Sequence, residues 1–541
     1  MGGGAMRRAR GRSPQTGAQL PTPPGRFESL SYVSAPQHRW LFALSAVVYV
    51  GVALSVGGFA STSPWAWVFF IPVALWGIEQ AISLRLSTYR RVVTERSHRR
   101  LIAGYDPPRW PSIDVFLPSC GEPLEVLAHG FHHVAALDYP GALQVFVLDD
   151  SSRDGVRELA QRYGFRYLAR HTSLWHKAGN IQYGFRHSSG DAILVLDADF
   201  VPRHDFLRHT VPYLGDPEVA IVQTPQYFDT SPTMGWLERT AGATQEFFFR
   251  FLQPSRDVIG AAICVGTSAI YRRSALDAVG GFPQISHSED IFTSLRLSGV
   301  GWRLRYVPLL LSKGTCPADI DRFIGQQYRW CEGTLRLVTD PDFRNGRFSW
   351  RQRLCYWAGF LFYVTTAIVA VLSPVPALAM LWGMPYAVTP AHVLPLLGAV
   401  LMWLVVVPSI SVGRWRPEVL RVQVIYSFAH LLCVLDLLRR HAEEWVPSGD
   451  QTQTTPVGRR VRRFMVPFIV LSQAGIVVGL AHGVWRYGIG AFWAAILFGA
   501  FGLYISVPIV IESVRRRRPE SAGVPEGGDP RAAVRAYADP V

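Results

Sequence analysis

The chain has 541 residues, of which 49% are hydrophobic and only 17% are charged. Soluble domains carry about 25% charged residues, so the composition excludes a purely soluble protein and places part of the chain in lipid. The formal charge of +14 comes from arginines that cluster beside apolar runs, which indicates anionic lipid headgroups as partners and no nucleic acid. The six cysteines show no metal-ligand spacing, and we expect them to be reduced, structural thiols.

Residues 1–37 are rich in Gly, Pro and Arg, and we expect a disordered N-terminal tail. Two apolar runs, 41–60 and 64–84, follow within residues 38–86, and each is long enough to span a bilayer. Arginines precede the first run and follow the second. Because cytoplasmic loops are enriched in arginine, we assign both flanks to the cytoplasm.

From about residue 111 the chain alternates short apolar runs with helical stretches. The runs predict strands at 113–118, 143–148, 192–196 and 219–223. This alternation is typical of parallel strands in a nucleotide-binding α/β domain, here residues 87–350, which lies between membrane regions and is therefore assigned to the cytoplasm. We interpret 234–251 and 321–338, which mix aromatic and polar residues, as helices at the membrane interface; ordinary core helices are the alternative.

Residues 351–512 return to lipid. Apolar runs at 355–372, 394–412, 464–481 and 489–511 predict four further spans, which makes six in all. The run at 422–438 contains Gln423, His430 and Asp436, and a span there would move the arginines at 459–463 outside. We therefore interpret it as another interfacial helix. Residues 513–541 are expected to form a disordered cytoplasmic tail.

The strand at 192–196 ends in Asp197-Ala198-Asp199. Two carboxylates one residue apart are well placed to hold a hard divalent cation, and ligands of open α/β sheets gather at the carboxyl ends of the strands. A cation there usually carries phosphates, so one interpretation is a metal-bound nucleotide. The other is a pair of loop carboxylates that caps the next helix.

Several short motifs of this chain follow a familiar order. They are Asp114 to Glu122, Asp149-Asp150-Ser151, His176 to Asn180, Asp197-Ala198-Asp199, Gln223 to Phe228, Val265 to Ser268, Ser288-Glu289-Asp290 and Gln326 to Trp330. Over residues 40–512 this series resembles the membrane-embedded processive glycosyltransferases of family 2, which include cellulose, chitin and hyaluronan synthases. The resemblance implies a GT-A-type α/β domain inserted between about six transmembrane helices.

The resemblance also implies a donor site. Asp149 would bind the uracil of a UDP-sugar, and Glu122 would line the same pocket. Lys177 would meet the diphosphate or a sugar hydroxyl. Asp199 and Asp197 would hold magnesium or manganese against the phosphates, with Asp197 also facing the sugar. The alternative for Asp149 is that it simply caps a helix.

Asp290 is the expected general base that deprotonates the attacking sugar hydroxyl. The resemblance places the base at the last residue of a Thr-Glu-Asp motif, which here reads Ser288-Glu289-Asp290. The neighbouring carboxylate of Glu289 is the rival for this role.

Gln326, Arg329 and Trp330 are spaced to share one helix face. By resemblance, Arg329 would bind the diphosphate, Trp330 would stack under the acceptor sugar, and Gln326 would add a polar contact. In the alternative interpretation, Trp330 anchors the helix at the membrane interface and Arg329 binds lipid headgroups. The other residues that the resemblance places near the acceptor are Gln226, Gly266 and Thr267.

Residues 443–450, within 419–463, stand where the related enzymes have a gating loop, but they lack its Phe-x-Val-Thr pattern. As a hypothesis, this segment forms a lid over UDP and Trp445 contributes contacts to it.

These features predict an inverting, processive enzyme of the plasma membrane that polymerises a UDP-sugar and exports the polysaccharide through its transmembrane helices. UDP-glucose and a cellulose-like β-glucan are favoured. A chitin- or hyaluronan-like synthase using UDP-N-acetylglucosamine, a non-processive lipid-carrier transferase, and an inactive scaffold or transporter subunit are the alternatives. The sequence does not decide whether an accessory export protein takes part or which oligomeric state the protein adopts. The expected channel aromatics are Tyr356, Trp357 and Phe360, with lipid contact as their alternative.

Overall fold

The computed structural model describes residues 20–36, 40–87, 91–231, 234–317, 319–411, 416–441 and 456–515. A helix, α1 (Arg26–Ser34), precedes the membrane region. Its Tyr32 is 1% exposed and Val33 is 6% exposed, so α1 packs against the rest of the protein. The prediction of a disordered tail is therefore wrong for residues 20–36, because composition did not reveal that these apolar side chains have a docking surface.

The first membrane region contains α2 (Trp40–Thr62), a 3-10 helix (Pro64–Phe69) and α3 (Phe70–Ser87). Proline at the start of the 3-10 helix lacks an amide hydrogen and separates α2 from α3. Helix α4 (Glu95–Ala103) follows and leads into the α/β domain.

The α/β domain is built on a seven-stranded sheet in the order β3-β2-β1-β4-β7-β6-β8. The four strands predicted from the sequence are present as β1, β2, β4 and β6, and they run parallel to one another. The unpredicted β7 lies antiparallel between β4 and β6, so the sheet is mixed. The strands are β1 (Ile113–Ser119), β2 (Leu143–Asp149), β3 (Arg166–Ala169), β4 (Ala192–Val195), β6 (Val219–Gln223), β7 (Ala269–Arg272) and β8 (Arg303–Tyr306), with β5 (Val201–Pro202) and β9 (Ser312–Lys313) forming a separate ribbon.

Helices cover both faces of the sheet. Successive strand residues point to opposite faces, so Val115 and Leu117 pack in one core cluster while Phe116 packs in the other. The helices are α5 (Leu124–Ala135), α6 (Asp154–Arg162), α7 (His176–Arg186), α8 (Phe206–Thr210), α9 (Trp236–Ala241), α10 (Ala243–Phe247), α11 (Gln253–Val258), α12 (Arg273–Ala278), α13 (Glu289–Gly299), α14 (Ile320–Arg336) and α15 (Pro341–Asn345).

The two helices predicted at the membrane interface differ in regularity. The segment predicted at 234–251 is broken into α9 and α10 and continues through a π-helical turn, Phe248–Leu252, into α11. The other is the single helix α14, close to its predicted bounds. The apolar face of α14 packs in one cluster with helices of the second membrane region, and this contact joins the α/β domain to them.

The second membrane region is helical throughout the part that the structure describes. Its helices are α16 (Trp350–Leu372), α17 (Val375–Gly383), α18 (Pro390–Val393), α19 (Leu397–Leu401), α20 (Val407–Ile410), α21 (Val419–Leu438), α22 (Pro456–Tyr487) and α23 (Ile489–Val514).

Six segments of the described chain are long and apolar enough to cross a membrane, which matches the predicted number but not the predicted set. The run at 64–84 is not among them, whereas α21 is. In the apolar stretch of α21, 56% of the residues are buried inside the protein, compared with 11–22% in the other five segments. Its interfacial placement stays a prediction. The six are Ala43–Thr62, Trp350–Gly383, Pro390–Ile410, Val419–Leu438, Pro456–Tyr487 and Ile489–Val514.

Candidate active site

Asp149 lies fully buried at the end of β2 and is bonded to its own loop. Its carboxylate accepts hydrogen bonds from the Ser151 amide at 2.9 Å, the Arg153 amide at 3.0 Å and the Tyr167 hydroxyl at 3.0 Å. Arg153 is the residue that precedes α6. Asp149 therefore also caps the start of that helix, which is the alternative role considered from the sequence. Recognition of uracil by Asp149 stays a prediction.

The same loop is tied to the segment before Lys177 by an ion pair that the sequence did not predict. Arg170 donates to both carboxylate oxygens of Asp150, at 2.7 and 2.6 Å, and to the carbonyls of Leu174 and His176. This bidentate geometry is the strongest form of a guanidinium–carboxylate ion pair. Arg170 follows β3, and only the pairing of β3 with β2 brings it to Asp150.

Lys177 joins three of the predicted motifs. Its ammonium group donates to Asp197 at 2.5 Å and to the Gly266 carbonyl at 2.9 Å, and it lies 3.7 Å from Glu289. Burial by itself lowers the pKa of Lys177, but Asp197, Glu289 and Asp290 outweigh burial and raise that pKa above its usual value. The lysine is therefore a fixed positive charge among carboxylates.

Asp199 belongs to a pair of carboxylates whose negative charge is only partly compensated. Burial, and then the charges of Asp197 and Glu122, raise the pKa of Asp199 to about 7, although a 2.9 Å hydrogen bond from the Thr315 hydroxyl opposes this. A divalent cation would relieve this repulsion, and oxygen ligands suit Mg²⁺ or Mn²⁺. The described residues contain no cluster of three metal-ligating side chains, and cation binding by Asp197 and Asp199 stays a prediction.

Asp290 stands in the first turn of α13, beside Glu289. Burial, and then the charge of Glu289, raise the pKa of Asp290 to about 7, while Lys177 acts in the opposite direction. A carboxylate with a pKa near neutrality is suited to accept a proton at physiological pH. Asp290 also lies against Gly266, where an added Cβ would come within 2.8 Å of its Oδ2.

The loop that carries Gly266 and Thr267 is held from beneath by Gln223. The side-chain amide of Gln223 donates to the carbonyls of Thr224 and Thr267, and its oxygen accepts from the Val265 amide at 3.0 Å. The Thr267 hydroxyl in turn accepts from the Asp197 amide at 3.0 Å. Gln223 is thus a positioning residue for which the sequence indicated no role.

Left-handed backbone conformations surround these groups. Trp175 and His176 precede Lys177, Ser268 follows Thr267, and Ser288 precedes Glu289, all with φ between 46° and 63°. Non-glycine residues adopt this region at a cost of about 1–3 kcal/mol each. The packing around the site therefore holds these residues in backbone conformations that would be unfavourable in an isolated loop.

A cavity of about 890 Å³ extends from the active-site residues into the membrane helices. Gln226, Asp290 and Trp330 line it together, and the roles that the sequence indicated for them stay predictions. Of the expected channel aromatics, Tyr356 and Phe360 are buried in a separate apolar cluster and Trp357 is 47% exposed. The membrane residues that line the cavity instead include Phe362, Tyr363, Thr366, Tyr426 and Ser472.

Of the three α14 residues that the sequence placed on one helix face, Trp330 lines this cavity. Gln327, Trp330 and Thr334 line the cavity, whereas Gln326 and Arg329 are not among its described lining residues. Burial lowers the pKa of Arg329 to about 10, and its charge acts on His287, which precedes the Ser288-Glu289-Asp290 motif. The three residues stay on one side of the continuous helix α14, and the contacts predicted for Gln326 and Arg329 with the acceptor and the diphosphate stay predictions.

Helix α14 also touches the catalytic motif directly at Gly333. A Cβ added to Gly333 would overlap the side chain of Ser288. Nearby, Glu332 accepts from Arg336 and lies 3.6 Å from the His287 ring nitrogen. The loop that leads into Asp290 is thus packed on the helix that carries Trp330.

We expect Gly333→Ala to destabilise the protein by about 1–3 kcal/mol, since the new methyl group forces Ser288 and its strained backbone to move. Transfer activity should fall more than global stability explains. Thermal unfolding and initial rates measure the two effects. Gly490→Ala, a change on α23 with no atom within 4 Å of the new Cβ, is the control; equal behaviour of the two variants would contradict the expectation.

Residues 443–450, which include Trp445 and which the sequence suggested as a lid over UDP, lie outside the described residues.

Comparisons with known proteins agree with this geometry. Residues 114–280 match Glycosyl transferase family 2. The chain is 34% identical over 274 residues to cellulose synthase 1 of Komagataeibacter xylinus, covering 49% of this chain and 18% of that protein. It is 31% identical over 277 residues to the UDP-forming cellulose synthase catalytic subunit of Pseudomonas fluorescens, covering 50% of this chain and 38% of that protein. The chain thus spans well under two thirds of these relatives.

One solved structure, the mannosyltransferase PcManGT of Pyrobaculum calidifontis in complex with GDP-Man and Mn²⁺, is similar at a TM-score of 0.49. The two are 18% identical, and the match covers 69% of this chain and 99% of that chain. At this level the likeness assigns neither a donor nor a metal here.

The family match runs from β1 to just beyond α12 and contains Asp149, Lys177, Asp197 and Asp199. The relatives extend the similarity to about half of the chain. Residues 114–280 therefore carry a Glycosyl transferase family 2 domain, and about half of the chain is similar to cellulose synthases.

Proposed function

We propose that this protein is a processive, inverting polysaccharide synthase that uses a UDP-sugar and moves its product through its own membrane helices. The observation that carries the proposal is the cavity that begins at Asp290 and Trp330 and continues between the membrane helices. A transferase that releases each product into water would not need such a passage.

Residues at the carboxyl ends of β1, β2 and β4 would bind the donor. Lys177 would hold the sugar or diphosphate of the donor from its place between Asp197 and the Gly266 carbonyl. The positive charge of Arg329 would add to this on the α14 side. Asp197 and Asp199 would hold Mg²⁺ or Mn²⁺, which would neutralise the charge that develops on the diphosphate.

Asp290 would accept the proton of the acceptor hydroxyl. The hydroxyl oxygen forms a bond to the anomeric carbon of the donor while the bond from that carbon to the diphosphate oxygen breaks, and UDP leaves. A single displacement of this kind inverts the anomeric configuration. The position of Asp290 on the cavity wall supports this role, since an acceptor in the cavity would reach it directly.

The acceptor end of the polymer would rest on Trp330, because sugar rings pack well against aromatic faces. Polar side chains continue the passage: Thr366 and Ser472 line the same cavity as Trp330. These hydroxyls would replace part of the water around a polymer that leaves the active site.

The charges of the cavity favour a neutral polymer. Among the described residues that line it, the charged side chains are the carboxylates Glu79, Glu246 and Asp290 and the cation Arg256, and Glu246 is already paired with Arg250 at 2.9 Å. A polymer that carries carboxylates would meet like charges in a poorly hydrated space. We therefore favour UDP-glucose and a β-glucan, with a chitin-like product second and a hyaluronan-like product least supported.

The arginine-rich flanks of the membrane region support a plasma-membrane protein whose catalytic domain and termini are cytoplasmic. Membrane lipids are then constant partners, and an accessory export protein would act on the opposite side. Addition of a protease to sealed inside-out vesicles should cleave the α/β domain; protection there and cleavage in right-side-out vesicles would reverse the orientation.

Incubation of the purified protein in lipid nanodiscs with each labelled UDP-sugar and Mg²⁺ or Mn²⁺ tests the activity. We expect a long insoluble product from UDP-glucose, which a β-glucan-specific hydrolase degrades. A single sugar on a lipid would identify a lipid-carrier transferase, and no turnover with any donor would refute the proposal.

We expect Trp330→Ala to shorten the polymer and to lower kcat/KM about 10-fold or more, since the C–H groups of a sugar ring would lose their contact with the indole face and a loss of about 1.4 kcal/mol is tenfold. Gel filtration of the labelled product measures its length. Trp350→Ala, which changes a tryptophan that is 66% exposed at the start of α16, should leave length unchanged. Polymer of wild-type length from Trp330→Ala would remove the acceptor role.

A further inference from the structure

The segment before the first membrane helix, residues 20–34, lies across the ribbon formed by β5 and β9. We name this segment the N-terminal strap. Pro21 and Pro24 of the strap are buried, and Tyr32 is 1% exposed beside Tyr227. The strap is therefore part of the folded catalytic domain.

The strap contacts both strands of this ribbon. On the β5 side, the Pro24 carbonyl accepts a 2.6 Å hydrogen bond from Arg203, which directly follows β5. On the β9 side, Glu28 forms a 2.8 Å ion pair with Lys313. Lys313 is only 6% exposed, and a buried ammonium group depends on its carboxylate partners.

A second carboxylate completes the arrangement around Lys313. Asp229 lies 3.4 Å from Lys313 and accepts hydrogen bonds from the Thr22 amide and hydroxyl, at 3.0 and 3.2 Å. The Asp229 amide donates to the Gly314 carbonyl at 2.8 Å. The strap thus holds Lys313 directly through Glu28 and indirectly through Asp229.

The ribbon carries the two residues that meet at the proposed metal site. Asp199 stands two residues before β5, and Thr315 stands two residues after β9. The Thr315 hydroxyl donates to Asp199 at 2.9 Å. The pairing of Val201 with Lys313 therefore sets the separation of Asp199 and Thr315.

We propose that the N-terminal strap is a positioning element of the metal site: through Glu28 and Lys313 it fixes the β5–β9 ribbon, so that Thr315 orients Asp199 toward a divalent cation and the donor diphosphate. The inference rests on the proposed role of Asp197 and Asp199 in cation binding. Partners that orient a metal ligand affect cation affinity although they do not touch the cation.

The substitution Glu28→Gln tests the proposal without removing the strap. Glu28 also accepts from the Gly25 amide at the start of α1, and glutamine can keep that helix-capping contact while it loses the charge that pairs with Lys313. Thr315→Val removes the donor to Asp199 directly. Glu158→Gln, which changes a 63% exposed side chain on α6, is the matched control.

The measurement is Mn²⁺ binding to the full-length protein in detergent or nanodiscs with UDP present, by electron paramagnetic resonance of free Mn²⁺. We expect Glu28→Gln and Thr315→Val each to weaken Mn²⁺ binding about 10-fold, with Glu158→Gln at the wild-type value. The kcat of Glu28→Gln at saturating Mn²⁺ should stay within about 2-fold of wild type, and the thermal unfolding curves of both variants should show folded protein.

Two outcomes would overturn the inference, and they are distinguishable from failure of the proposed function. If Glu28→Gln binds Mn²⁺ as wild type does while Thr315→Val does not, the strap has no part in positioning Asp199. If Glu28→Gln loses kcat and thermal stability together at an unchanged Mn²⁺ affinity, its role is only structural. No UDP-dependent Mn²⁺ binding by the wild-type protein would refute the metal site itself.

Discussion

Asp290→Asn should reduce the rate of sugar transfer about 10²–10⁴-fold, which is the usual contribution of a general base. Asparagine has the size of aspartate but cannot accept the proton of the acceptor hydroxyl. Since Asp290 lines the cavity proposed for the acceptor, and the donor-binding cation is assigned to Asp197 and Asp199, UDP affinity should change less than about 3-fold. Initial rates with labelled donor and calorimetric titration with UDP separate the two effects.

The same carboxylate sets an expected pH dependence. The pKa of Asp290 is raised to about 7, and its ionised form is the active one, so wild-type activity should decline as the pH falls through about 7. Any residual activity of Asp290→Asn should lack this decline. Asp277→Asn, an exposed change on α12, is the control, and a larger loss in Glu289→Gln than in Asp290→Asn would assign the base to Glu289.

Lys177→Met should reduce kcat/KM about 10²–10³-fold, the usual effect of removing one charged or hydrogen-bonding group that stabilises a transition state. Methionine approximates the length of lysine but leaves Asp197, Glu289 and Asp290 without the cation that lies among them. Because Lys177 opposes the rise of the Asp290 pKa, its loss should move the acidic decline of activity to higher pH. A pH–rate profile of the variant measures this shift.

The control for this change lies on the same helix. Arg186→Met removes an exposed cation from the end of α7 and should keep both the rate and the pH profile of the wild-type protein. A Lys177→Met variant that loses activity but keeps the acidic decline at about pH 7 would show that Lys177 serves the donor without tuning Asp290.

Local patterns predicted the central strands well. Apolar runs such as 143–148 and 219–223 were long enough and sufficiently rich in aliphatic residues to identify β2 and β6, because a strand covered on both faces is apolar at every position. The four-residue strand β7 escaped prediction. Its antiparallel pairing with β4 depends on where the chain returns to the sheet, which composition does not encode.

The face of α14 shows the limit of spacing as evidence. The sequence grouped Gln326 and Arg329 with Trp330, whereas the described residues of α14 that line the cavity with Trp330 are Gln327 and Thr334. Residues three or four apart lie near one another on any helix. Which side faces the active site is decided by the packing of α14 against α21 and α22.

The sequence by itself determined the class of this protein, because membrane spans, buried strands and ordered short motifs are written in local composition and spacing. Only the tertiary structure decided which partners complete the site. Thr315 meets Asp199 across 116 residues, and Thr22 meets Asp229 across 207. Such contacts have no local signal, since they arise only when the β5–β9 ribbon and the N-terminal strap pack together and bring distant polar groups within hydrogen-bond distance.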